Sequence, residues 1–248
     1  MSTDPQRDHP GPSGAHGARG HEGHRQSAAS SPGLAVSDGW WRLEASPTIL
    51  EQTGETEFVF RVMQNGEPLT SFDELHERRM HLVVVRRDLT GFQHLHPQMD
   101  HDGRWVTKIA FSSAGAWRAF ADFAADGMPS TLGVDVLVRG QFEPQPLPNP
   151  SRSAVTSADE VTLERQSDGV HRFTVAADGT AVRPEPYLGA LGHLVVLRWG
   201  DLAFLHVHPV TQDELAFQVH YPTPGTYRCF LKYVVKDEVR TAAFTSVV

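Results

Sequence analysis

Six histidines recur as two matching sets of three, and imidazoles at this spacing can converge on a transition-metal ion. The first set is His81, His94 and His96, carried by His81-Leu-Val-Val-Val-Arg86, a short turn, and Phe92-Gln-His94-Leu-His96-Pro97. The second is His193, His206 and His208, carried by His193-Leu-Val-Val-Leu-Arg198, a turn, and Phe204-Leu-His206-Val-His208-Pro209. In each set the second histidine follows the first by thirteen positions, and the sets lie 112 positions apart. Positions that only fill space differ between the copies, Trp105 against Phe217 and Ala119 against Cys229, whereas the histidines are kept. A lone His-x-His on a strand is commonly two half-exposed imidazoles, but that reading does not account for the repeat.

Strands must position these groups. Side chains alternate faces along a strand, and opposed residues on neighbouring strands sit side by side. A hairpin of residues 81–86 and 92–96 with Val83 opposite His94 sets Val85 opposite Phe92 and His81 opposite His96. All three imidazoles then share one face, with opposed Cβ atoms about 4.5–5.5 Å apart, close enough for ring nitrogens to meet a metal at about 2.0–2.1 Å. The second copy reads the same way, with His193 opposite His208, Val195 opposite His206 and Leu197 opposite Phe204.

Imidazole suits copper and zinc, and the Irving–Williams order puts Cu(II) ahead of Zn(II) at a nitrogen site. The expected function is therefore binding of copper, then zinc, for metal handling or storage. The donors must be neutral, so binding is expected to weaken as pH falls through about 6.5. The two sets make two separate sites or meet at a domain interface, and sequence leaves both open. Three histidines with an open fourth position also describe a catalytic metal centre. No carboxylate recurs as a general base: Asp88 and Asp201 fall in the hairpin turns, and Asp122 gives way to Lys232 in the second copy. If only the first half were catalytic, Asp122 and His101 would be its extra groups. A third reading is a β-sandwich adhesion or scaffolding module in which the histidines merely pack, and protein partners stay unknown.

The repeat extends beyond the histidines. Ala114-Gly115-Ala-Trp117-Arg118-Ala-Phe120 matches Pro224-Gly225-Thr-Tyr227-Arg228-Cys-Phe230, and Phe58-Val-Phe60-Arg-Val62 resembles His171-Arg-Phe173-Thr-Val175. Short alternating runs with turns about every 8 to 12 residues, and no helical period, predict an all-β chain of two tandem immunoglobulin-like sandwiches. The aromatic-Arg-x-Phe strand reads as core packing with a surface or ion-paired arginine. The expected divisions are a disordered, His-rich tail over residues 1–37, a first sandwich over 38–141, a proline-rich connector over 142–156 and a second sandwich over 157–248. The tail carries His9, His16, His21 and His24 among glycines, a composition that cannot repay folding entropy but can capture metal weakly.

Composition mostly excludes. A net charge of −8 argues against nucleic acid, which requires a positive field. The single cysteine, Cys229, excludes an internal disulfide and four-cysteine zinc sites, and reads as a small core residue rather than a copper thiolate. The N-terminus has no apolar signal region and no run reaches the roughly 18 residues of a membrane span, so a soluble, cytoplasmic protein is expected.

The segments Met80–Pro97 and Tyr187–Pro209 resemble a poorly characterised bacterial family of duplicated β-sandwich proteins, secreted or membrane-anchored, with HLHP and HVHP histidine motifs. The resemblance covers about residues 40 to 248. It implies a link to heavy-metal handling and an extracytoplasmic setting, and brings no activity with it. This chain departs from that pattern in showing no membrane anchor and in adding the His-rich tail.

Overall fold

The computed structural model describes Met1, residues 32–205 and residues 207–248. The tail histidines and His206 lie outside the described residues.

Each half is a two-sheet sandwich. In the first half one sheet runs β1 (Ser37–Asp38), β2 (Trp41–Ser46), β4 (Gly54–Gln64), β9 (Trp105–Phe111) and β8 (Gln98–Met99), with β5 (Glu67–Pro68) also on β4. The other runs β3 (Ile49–Leu50), β11 (Met128–Val138), β10 (Gly115–Ala125), β6 (His81–Arg86) and β7 (Gln93–Leu95). In the second half one sheet runs β12 (Ser153–Val155), β13 (Glu160–Arg165), β14 (Val170–Ala177), β19 (Ala216–Gln218) and β18 (His208–Pro209), with β15 (Thr180–Val182) on β14. Its partner runs β17 (Phe204–Leu205), β16 (Gly192–Arg198), β20 (Thr226–Val235) and β21 (Glu238–Val247). Pairing is antiparallel except where β3 joins β11.

Two kinds of strand pattern position the site. In β2, Trp41 and Leu43 are buried while Arg42 and Glu44 are exposed, the alternation of a strand with one face in water. Strand β6 is instead buried at every residue, and β16 at all but its last. Leu82 and Val84 point into the core of the first sandwich, whereas Val83 and Val85 join Val195 and Leu197 in a separate cluster between the halves. The second sandwich covers the outer face of β6, and a strand covered on both faces needs an unbroken apolar run.

The halves meet about a near two-fold axis. Phe92 stacks on Phe230 with ring centres 4.0 Å apart and planes 4° apart, while their counterparts Phe204 and Phe120 meet at 5.5 Å and 44°. Two tethers hold this arrangement. In the connector, the Gln145 amide donates to Asp88 at 2.8 Å and Leu147 packs on the interface cluster. At the other end, the buried Arg118 guanidinium donates to the carbonyls of Gly33 and Leu34 and pairs with Asp135 at 2.6 Å. The anchored chain thus begins within the stretch that composition assigns to the tail, because backbone bonds from Gly33 to Thr131 and from Phe204 to Pro32 hold it. The connector likewise ends in strand β12.

Candidate metal centre

His81 opens β6, and the hairpin register sets Val83 opposite His94 and Leu82 opposite Leu95. The imidazoles of His81, His94 and His96 each present a ring nitrogen, all within 4.8 Å of one another. Their ring centres lie 5.1 to 5.3 Å apart.

Hydrogen bonding fixes one tautomer. His81 Nε2 lies 2.9 Å from the Leu75 carbonyl, which can only accept, so the proton sits on Nε2 and Nδ1 carries the lone pair. That Nδ1 is 3.1 Å from His94 Nε2. His94 Nε2 therefore donates across this gap; to hold an ion, both nitrogens would have to present lone pairs, with the His94 proton carried on Nδ1 instead. Ligating histidines are commonly held this way, with the remote ring N–H on a backbone carbonyl. Two further nitrogens, His94 Nδ1 and His96 Nε2, are buried with no hydrogen-bond partner. Buried polar atoms are rarely left so, and the donor set fits a borderline ion such as Cu(II) or Zn(II).

The electrostatics favour neutral rings. Burial, then the neighbouring His81 and Lys232, holds His94 well below the ordinary imidazole range. The same causes bring His96 down to about 3. Both rings are therefore unprotonated at neutral pH, and burial carries proton competition below the value near 6.5 expected of a free imidazole.

His193 has the same anchor as His81: its Nε2 donates to the Tyr187 carbonyl at 2.9 Å. Leu75 and Tyr187 each stand six residues before their histidine, in matching turns that pair Leu75 with Arg78 and Tyr187 with Ala190. Across the interface the His193 ring centre lies 6.2 Å from His94 and 6.4 Å from His81. Burial, offset in part by the Tyr187 carbonyl, holds its pKa at about 4.

His208 is not gathered there with His193. Leu197 opposes Phe204 and Val196 opposes Leu205, as the repeat predicts, but β17 ends at Leu205. His208 is exposed and sits in β18, opposite Gln218 in the other sheet. In the first half the chain pairs with β6 as far as Leu95 and rejoins a sheet only at Gln98, which leaves His96 at the crossing beside the hairpin. The second half rejoins a sheet earlier, at His208, which stands in the sheet opposite the one that holds β16.

One histidine at the interface is absent from the repeat. His76 lies with its ring centre 5.4 Å from His193 and 6.2 Å from His81. It sits in a tight turn with Glu77, at φ 48° and 58°, where the second half has Leu188-Gly189. The left-handed region costs an L-residue roughly 1–2 kcal/mol, and this strain was the sequence-invisible part of the signal. The visible part was a histidine in the turn that leads to the anchored position. Asp122 is buried on β10 opposite His81 and accepts from Thr131 Oγ1 at 2.7 Å. His101 lies elsewhere, 89% exposed beside Asp102. His76, His81, His94, Asp122 and His193 line a cavity of about 40 Å³ between the halves, together with apolar side chains such as Val83, Val195 and Phe204.

A family model described as "Domain of unknown function (DUF8832)" matches residues 35–140 and again residues 152–248. The chain belongs to this family. Its two matched segments are the two sandwiches, so the duplication is a property of the family match as well as of the fold. No curated protein matches the sequence. Among solved structures, a two-domain fibronectin type III segment of chicken tenascin is 11% identical, with 85% of this chain and 100% of that one covered and a TM-score of 0.27. The titin A168–A169 segment is 10% identical over 84% of this chain and 97% of that one, with a TM-score of 0.23. The alpha-2-macroglobulin of Escherichia coli is 11% identical over 87% of this chain and 16% of that one, with a TM-score of 0.31. Among the described residues no helix is long and apolar enough to cross a membrane.

Proposed function

We propose that this protein binds a transition-metal ion, copper ahead of zinc, in metal handling or storage, with His81, His94 and His96 as the principal ligands. The observation that carries the reading is the convergence of three ring nitrogens within 4.8 Å, one of them presented by the Leu75 carbonyl in its lone-pair form. His94 and His96 are already neutral at neutral pH, so they lose no proton on binding. His193 belongs to the same histidine neighbourhood across the interface, and His206 and His208 keep the candidacy that their spacing gives them. Metal analysis after chelation and reloading tests the proposal: copper or zinc retained by the wild type and lost from a His94→Ala, His96→Ala variant supports it. Equal retention by both proteins, in a background without the tail histidines, overturns it.

A further inference from the structure

The first half has a strand that the second half lacks. Residues 47–53 lead from β2 to β4, and within them β3 lies parallel to the end of β11, with Ile49 opposite Leu137 and Leu50 opposite Val138. The Leu137 amide donates to the Thr48 carbonyl at 2.8 Å, Leu50 enters the first core, and Glu51 pairs with Arg139 at 3.2 Å. Strands β13 and β21 are the counterparts of β2 and β11: Val161 faces Val175 as Leu43 faces Val62, and Gly225 meets Val248 as Gly115 meets Val138. Only residues 166–169 separate β13 from β14, in a turn closed by the Gln166 amide on the Val170 carbonyl at 2.8 Å. Among the described residues β21 pairs with β20 alone, and a cleft of about 580 Å³ lies between the end of β13 and the end of β21.

We infer that this cleft docks an extended acidic peptide segment of another protein, which adds to β21 as the strand the second half lacks. Three features that hold β3 recur in it. Gly225 and Val248 exchange both backbone hydrogen bonds, so the next pair, Thr226 and Val247, exchanges none, and the Val247 N–H turns outward as that of Leu137 does. No acceptor meets it among the described residues. The buried Leu163 lines the cleft and offers an apolar contact of the kind Leu50 finds in the first half. Arg152 and Arg165 line it too, with no carboxylate beside them. Arg165 donates to the Val247 carbonyl at 3.0 Å and stands over the Tyr221 ring, while Arg152 makes no ion pair or side-chain hydrogen bond among the described residues. In a chain of net charge −8, two such guanidiniums in one cleft select a negative partner. Strand addition draws affinity from main-chain bonds and selectivity from alternate side chains, here an apolar one towards Leu163 and acidic ones towards the arginines. Ile49-Leu50-Glu51 is such a sequence in the first half. The docking site is independent of the histidine site.

The test titrates the full chain into a fluorescent peptide that copies residues 46–53, read by anisotropy. Saturable binding is expected, and the same peptide with its leucine and glutamate replaced by lysine should bind about 100-fold more weakly, because like charges then meet. Arg152→Glu, at an exposed side chain, should weaken binding of the parent peptide about tenfold or more. Val247→Pro removes the outward N–H, leaves the ladder to β20 complete, and should weaken binding about tenfold. Thermal unfolding of both variants confirms the fold. Binding that responds to Arg152→Glu but ignores Val247→Pro would make the cleft a simple anion contact and overturn strand addition. Absence of peptide binding also overturns the inference, and sedimentation as a dimer that Val247→Pro breaks would then give the edge to a second copy of this chain.

Discussion

In the first half, Arg86 and Asp88 close the hairpin turn as a pair whose side chains are 6% and 3% exposed, with Thr90 and Gln145 also donating to the carboxylate. In the second, Arg198 and Asp201 make the same pair at 19% and 41% exposure, open to water. Burial pushes the Asp88 carboxyl up, but hydrogen bonds from Arg86, Gln145 and Thr90 outweigh it and hold the pKa at about 2. The same residue types at the same turn thus have different surroundings, because the connector covers only the first. The histidines repeat the lesson: the sets match in spacing, yet an earlier return to a sheet in the second half puts His208 in the sheet opposite His193. Duplication copies residues, and the surroundings of each copy decide what those residues can do.

The largest test of that comparison removes one partner of each pair. Asp88→Ala leaves the Arg86 guanidinium buried and unpaired, and should destabilise the fold by about 3–5 kcal/mol. Asp201→Ala, at the more exposed pair, should cost about 1 kcal/mol or less. Urea unfolding reads both, and equal losses would break the contrast.

The interface rings give a test of symmetry. Phe120 and Phe230 are both buried and each meets a phenylalanine of the other half. Either one changed to alanine should cost about 3–5 kcal/mol, with unfolding still a single transition if the halves stabilise each other. Two separated transitions in the Phe230→Ala variant, against one in the wild type, would show that the stacked pair alone couples them.

A third difference lies away from the histidine sets. The second half has His171 where the first has Phe58, buried with Nδ1 donating to the Gly169 carbonyl at 3.2 Å and Nε2 accepting from Tyr221 at 2.8 Å. Burial holds its pKa at about 4, against 6.5 unfolded. The unfolded chain therefore takes up the proton first, and stability that is complete above pH 6.5 is lost as pH falls towards 4. Between pH 7 and 5 the wild type should lose about 2 kcal/mol more than His171→Phe, measured by urea unfolding at both values. Identical pH slopes would show that this ring is no acid-sensitive point.

The smallest expected effect sharpens the electrostatic contrast at the interface. Lys232, whose pKa burial lowers to about 8, adds positive charge beside the triad. Under the proposed function, Lys232→Met should tighten Zn(II) binding at the triad about tenfold, or roughly 1.4 kcal/mol. Unchanged affinity in a calorimetric titration would mean that this charge does not bear on the triad.

Much of the architecture was legible along the chain. The repeat, the alternating strands and the hairpin register that pairs Val83 with His94 and Leu197 with Phe204 follow from period-two patterning, a local property. The unbroken apolar runs of β6 and β16 also carried a message, since such runs need cover on both faces, but a run does not name what covers it. The tertiary structure decided that each sandwich covers the other, that His193 and His76 approach the triad, and that Lys232 of the second half reaches the His94 carbonyl of the first. It also decided that His208 leaves for the other sheet. Contacts between surfaces far apart in sequence depend on packing angle and on where a strand changes sheets, and neither leaves a periodic trace in the residues.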